Sequence, residues 1–252
     1  MISDTKKLTT RATLAVALYS LATYIFAHLA YIYMNTDTGV VFELISLYLS
    51  KITVFIVPAA LFALTLIIYA SQGIKKSIVF ALTASSARLI YSLPYYYIIF
   101  IYNYGYDSIE SILLSLVACV AVIAFTVLGI FASLGIALLI LKKDKSRKKE
   151  QPLKAYLTES LNARQSISDF AKGANLALLV CSLFSFLCAL IPEIIDTVSF
   201  FIEYKLDYTI PELITIMCNY ILLLIMIFAS YILAVYIKNK AAKEVDSLSA
   251  DT

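Results

Sequence analysis

Cys119-Val-Ala-Val-Ile-Ala-Phe-Thr-Val-Leu-Gly-Ile-Phe-Ala-Ser-Leu-Gly-Ile-Ala-Leu-Leu-Ile-Leu141 runs without a charged side chain, and Lys142-Lys-Asp-Lys-Ser-Arg-Lys-Lys149 follows at once. A helix rises 1.5 Å per residue, so about 20 apolar residues cross the roughly 30 Å hydrocarbon core of a bilayer. A run of this kind ending on a basic cluster reads as a crossing that terminates at an inner membrane face.

Five further runs of the same kind stand on either side. Together the six cover approximately 12–34, 52–71, 77–102, 119–141, 176–195 and 217–237. None alternates in polarity as the short strands of a membrane barrel do. The expected fold is therefore all-α, a polytopic membrane protein of six transmembrane helices. The composition agrees: 62% of the residues are hydrophobic and 15% charged, against about 45–50% and 25% in soluble domains. The first run exceeds a signal-peptide core, and its Ala15-Val16-Ala17 stands too early for cleavage, so it reads as an anchor.

Lys and Arg cluster at Lys6–Arg11, Lys75-Lys76, Lys142–Lys149 and Lys238–Lys243, in alternate connections and at both ends. The positive-inside rule then expects cytoplasmic N- and C-termini, in the plasma membrane. The other three connections carry Asp37 with Glu43, Asp107 with Glu110 and Asp207 with Glu212. They suggest three external-turn hairpins, each followed by a helix taller than its crossing. The same acids also suit ordinary N-capping, which expects helices to begin near these three aspartates.

The basic cytoplasmic loop 142–172 is the one sizeable polar segment. Apolar residues at three- and four-residue intervals over 153–170 predict a cytoplasmic amphipathic helix, lying on the membrane or docking a cytoplasmic protein partner. The net charge of +3 resides in such flanks and suits membrane lipids, with no pattern for nucleic acid.

Depth singles out Arg88, twelve residues beyond Lys76 and so about 18 Å into the membrane. A charge at that depth is a functional candidate, needing an acceptor in the protein or in a wet cavity. Thr83-Ala-Ser85-Ser86-Ala precedes it, and Tyr91 lies within a turn beyond it. The candidate ligand-binding residues are Arg88, Ser85, Ser86, Tyr91 and His28, opening toward Glu193 and Asp196 after Pro192. A guanidinium above hydroxyls suits a carboxylate or phosphate, while the competing expectation is a lock between two helices. His28 is equally readable as packing, the tyrosines 91–106 as an interfacial belt, and Lys51 as snorkelling outward. Gly129, Ser133 and Ala137 mark a close helix contact.

No paired histidines, nucleophile with base, phosphate loop or deep carboxylate pair is present, so neither an enzyme nor a cofactor or metal is expected. Cys119, Cys181, Cys188 and Cys218 read as small apolar side chains. The expected function is a transport-related membrane subunit or permease binding a small polar or anionic solute near Arg88. The alternative is a non-transporting scaffold or regulatory subunit acting through 142–172.

Overall fold

A computed structural model of the protein describes residues 5–33, 36–102, 108–145, 147–148, 150–203 and 210–250. Among these residues there are eight helices and no strand: α1 Thr5–Ile32, α2 Asp37–Gln72, α3 Ile74–Ser86, α4 Leu89–Tyr102, α5 Ser108–Lys142, α6 Leu153–Asn162, α7 Gly173–Glu203 and α8 Ile210–Ala250.

Four stretches, Lys6–Ile32, Phe55–Gln72, Ile109–Lys142 and Tyr220–Lys243, are long and apolar enough to cross a membrane. On α5 the side chains of Val117, Val120, Phe125, Leu128 and Leu139 are 64–74% exposed. Water does not tolerate so continuous an apolar surface, and lipid does. The architecture is consistent with an integral membrane protein. The fifth run lies on α7, which spans 31 residues.

The third run differs from its expected single helix. It forms α3, of 13 residues, and α4, of 14, interrupted at Ala87-Arg88. Either half covers only about 20 Å. The cause is local competition for main-chain acceptors. Ser86 Oγ donates to the Thr83 carbonyl at 2.8 Å, the oxygen that the Ala87 N–H would take in an uninterrupted helix. The Ala87 N–H turns to Ser85 O, and the Arg88 N–H donates to the same carbonyl at 3.1 Å.

Helix starts follow the capping expectation where they are described. Thr36 caps α2 in extended geometry, its Oγ1 accepting from the Gly39 N–H at 3.2 Å. Asp107 and Asp207 lie outside the described residues, immediately or shortly before α5 and α8.

The chain divides into two units, Met1–Thr53 with Thr65–Ala132, and Val54–Leu64 with Ser133–Thr252. In the first, α1 packs on α3 and α4, and Phe42 of α2 meets the rings of Phe26 and Tyr33 at 6.1 and 5.9 Å. Lys51 is only 8% exposed, against the expectation of snorkelling. It sits fourteen residues into α2, about 21 Å from Asp37, beyond reach of that helix end. In the second unit α6, α7 and α8 pack on one another. Leu157, Leu178 and Val235 are almost fully buried there. A Cβ added at Gly129 would meet no atom within 4 Å, so close helix approach does not require glycine there, while Ser133 and Ala137 are buried.

The amphipathic helix expected over 153–170 ends eight residues early, at Asn162, and its apolar face is turned inward through Tyr156, Leu157 and Leu161. Lipid contact along that face is therefore replaced by contact with α7 and α8. Gly173 then opens α7 at φ 52°, where a Cβ would stand 2.7 Å from Ser160 Oγ and 3.0 Å from Ser160 Cβ. Gly173→Ala should cost about 1–3 kcal/mol from backbone strain alone, with more from the clash. A lowered thermal midpoint in detergent checks this, and an unchanged midpoint contradicts it.

Candidate functional site

Arg88 occupies the turn between α3 and α4 and is half-buried. Its Nη1 donates to Thr126 Oγ1 of α5 at 3.1 Å, and that hydroxyl donates in turn to the Val122 carbonyl at 2.7 Å. A guanidinium carries five N–H groups. Among the described residues only this one neutral hydroxyl receives any of them.

The neighbouring hydroxyls divide. Ser86 spends its hydroxyl proton on the Thr83 carbonyl at the break. Ser85, one turn before Arg88, is fully buried with an Oγ that has no partner. An orphaned buried hydroxyl is uncommon in folded proteins, and a water or ligand is one way to satisfy it. Ser20 on α1, the helix packed against α3, carries a second such hydroxyl.

Of the remaining candidates, Tyr91 follows Arg88 in the same turn, its N–H donating to the Arg88 carbonyl at 3.1 Å. Tyr91 stacks on Tyr95 at 5.3 Å, and the rings continue through Tyr96 to Phe100. His28 is exposed on α1 and stacks on Tyr24 at 5.9 Å. Glu193 and Asp196 belong to α7, but their side chains lie outside the described residues.

A second polar cluster was not expected from the sequence. Lys238 of α8 is fully buried, its Nζ donating to Asn175 Oδ1 at 3.0 Å and to Gln165 Oε1 at 3.2 Å. Around it, three side chains capture three successive carbonyls of the segment after α6. Asn239 Nδ2 donates to Gln165 O, Asn175 Nδ2 to Ser166 O and the Tyr231 hydroxyl to Ile167 O, each at 3.0 Å. A non-helical segment needs such partners for its main chain when packed against helices. Asp144 Oδ2 completes the arrangement by accepting from the Tyr156 hydroxyl at 2.6 Å and from the Gly173 N–H at 3.1 Å.

The sequence did carry a signal for Lys238. The buried residues of α8 include Leu223, Met226, Ser230, Ala234, Val235, Lys238 and Ala242. Lysine therefore stands in register with an apolar stripe, at three- and four-residue spacing.

No family model matches this chain. Comparison with curated proteins and with solved structures likewise finds no match. Function is thus argued from these two clusters.

The side chains of Asn175 on α7 and of Tyr231, Lys238 and Asn239 on α8 form a latch over residues 163–172, and one rung of it can be tested alone. Tyr231→Phe removes a hydrogen bond of about 1 kcal/mol, so opening of 163–172 should become about fivefold more frequent. Tryptic cleavage after Arg164 and Lys172, which follows the open population when closing is fast, should accelerate accordingly. An unchanged cleavage rate would remove Tyr231 from the latch.

Proposed function

We propose that the chain is a transport-related membrane subunit that binds a small polar or anionic solute at Arg88. In this reading it crosses the plasma membrane six times, with α3 and α4 together making one discontinuous crossing and both termini cytoplasmic. Carrying it is the guanidinium at a helix break, with one neutral hydroxyl as its described partner. A structural lock would engage most of the five donors, whereas an anion receptor keeps them available. The unpartnered hydroxyl of Ser85 supports the same reading. Discontinuous helices near the membrane midplane are also where many secondary transporters bind their solutes, an analogy of architecture.

Uptake of radiolabelled phosphate and short carboxylates into proteoliposomes tests the proposal. Wild-type protein should accumulate at least one of them, and Arg88→Gln should not. Equal uptake by Arg88→Gln would sink it.

The second reading, a scaffold or regulatory subunit, draws on the latch. It holds 163–172 in one conformation with Ile167 and Phe170, 47% and 54% exposed, between Arg164 and Lys172. Because α6 packs into its own unit, deletion of 153–170 would disturb the fold. The double variant Ile167→Ser with Phe170→Ser is the sharper probe. Loss of activity in cells with solute binding retained would favour this second reading.

A further inference from the structure

Beyond Arg88, the same seam between α4 and α5 carries an apolar groove of about 320 Å3, lined by Leu93, Pro94 and Tyr97 of α4 and Ile112, Ser115 and Leu116 of α5. Ser115 offers it no free hydroxyl, because its Oγ donates to the Ser111 carbonyl. Leu93 and Tyr97 lie five and nine residues past Arg88, which places the groove about 7–13 Å further along the helix axis.

We infer that this seam binds a single-chain amphipathic anion, a medium-chain carboxylate, with its head on Arg88 and its hydrocarbon chain in the groove. The inference rests on the reading of Arg88 as an anion receptor and adds the class of substrate.

Three observations lead to it. First, the seam is complementary to both ends of such a molecule. A cation whose one partner among the described residues is a neutral hydroxyl stands at one end, and a wall without available polar groups at the other. An inorganic anion would use only the first. Second, 320 Å3 lies at the small end of the roughly 300–1,000 Å3 range of ligand pockets, enough for one chain and too little for the paired tails of a phospholipid. Third, the polarity runs opposite to that of a bilayer lipid. With Arg88 about 18 Å from the inner boundary, the charged end is deep and the apolar end lies outward of it. A bilayer phospholipid keeps its headgroup at the interface and its tails at the centre. It can lay a tail end in the groove but cannot bring its headgroup to Arg88.

The purified full-length chain in detergent, labelled with a dodecanoate that carries a diazirine at its far end, provides the test. Cross-links should map by peptide mass spectrometry to 93–97 and 112–116. Decanoate should compete at least about tenfold better than acetate, since burying only two or three methylenes is worth that much, and better than uncharged decanol by a similar factor. Leu116→Trp, which fills the groove, should cut labelling about tenfold, while Leu139→Trp, on an exposed part of α5, should not change it. Thermal midpoints of both variants check that they fold.

If acetate competes as well as decanoate and Leu116→Trp labels normally, the amphipathic ligand is wrong and a small-anion site at Arg88 survives. If decanol competes as well as decanoate, the groove is an ordinary lipid contact and the inference fails. If labelling and anion uptake both persist in Arg88→Gln, the underlying reading of Arg88 fails with it.

Discussion

Lys238→Ala should destabilise the protein by about 2–4 kcal/mol and release the segment 163–172 to protease. The lysine donates to two amide oxygens from a site with no solvent exposure. Truncation leaves Gln165 Oε1 and Asn175 Oδ1 without these donors and opens a void where the aliphatic stem packed. Hydrogen bonds to charged groups are worth about 1.5–3 kcal/mol each. Relief from holding a desolvated ammonium offsets part of that loss. For a chain of this size the midpoint should fall roughly 5–15 °C. Lys238→Met keeps the stem and should recover the packing part alone, and the exposed Lys240→Ala should leave the midpoint where it was. Trypsin should cut after Arg164 and Lys172 far faster in Lys238→Ala than in Tyr231→Phe. A Lys238→Ala protein with wild-type midpoint and cleavage would show that the latch does not hold the segment.

Arg88→Gln should weaken anion binding by about 10–100-fold, the worth of one charge-assisted contact of about 1.5–3 kcal/mol. Arg88→Lys should fall between, because an ammonium keeps the charge and loses the planar fork. Thr126→Val separates binding from locking. It deletes the one described protein partner of the guanidinium, so a receptor should keep or improve its affinity for anions. A lock should lose stability instead. Isothermal titration with the anion taken up best, together with thermal midpoints for the three variants, decides between them. Equal loss of midpoint in Thr126→Val and Arg88→Gln, with binding unaffected by either, would assign Arg88 to packing.

What was legible in the sequence follows the physics of each feature. Apolar run length is set by bilayer thickness, so the runs at 12–34, 52–71, 119–141 and 217–237 could be read from residue order alone, and they fall on the apolar helical stretches Lys6–Ile32, Phe55–Gln72, Ile109–Lys142 and Tyr220–Lys243. The break at Ala87-Arg88 could not, because hydropathy is blind to which main-chain oxygen a serine hydroxyl takes. Only Thr83-Ala-Ser-Ser hinted at it. The early end of α6 was hidden for another reason. The residues that hold 165–167 outside a helix, Asn175, Tyr231 and Asn239, are distant in sequence for the last two, and their pull is tertiary. Lys238 was assigned to the basic flank because charge counting sees position along the chain and not the face of the helix. Its register with Leu223, Ala234 and Ala242 was the available clue. At the candidate site, depth and composition singled out Arg88 and Ser85, whereas Thr126 was passed over as one hydroxyl in an apolar run.

All of this turns on α3 and α4 forming a single crossing with Arg88 near its middle. In a background with Cys119, Cys181, Cys188 and Cys218 replaced by alanine, single cysteines at Lys76 and Gly105 can be labelled with a membrane-impermeant maleimide in sealed, oriented vesicles. One broken crossing predicts that the two positions label from opposite faces of the membrane. Labelling of both from the same face would make α3 and α4 a re-entrant hairpin, and would contradict the crossing and the solute path built on it.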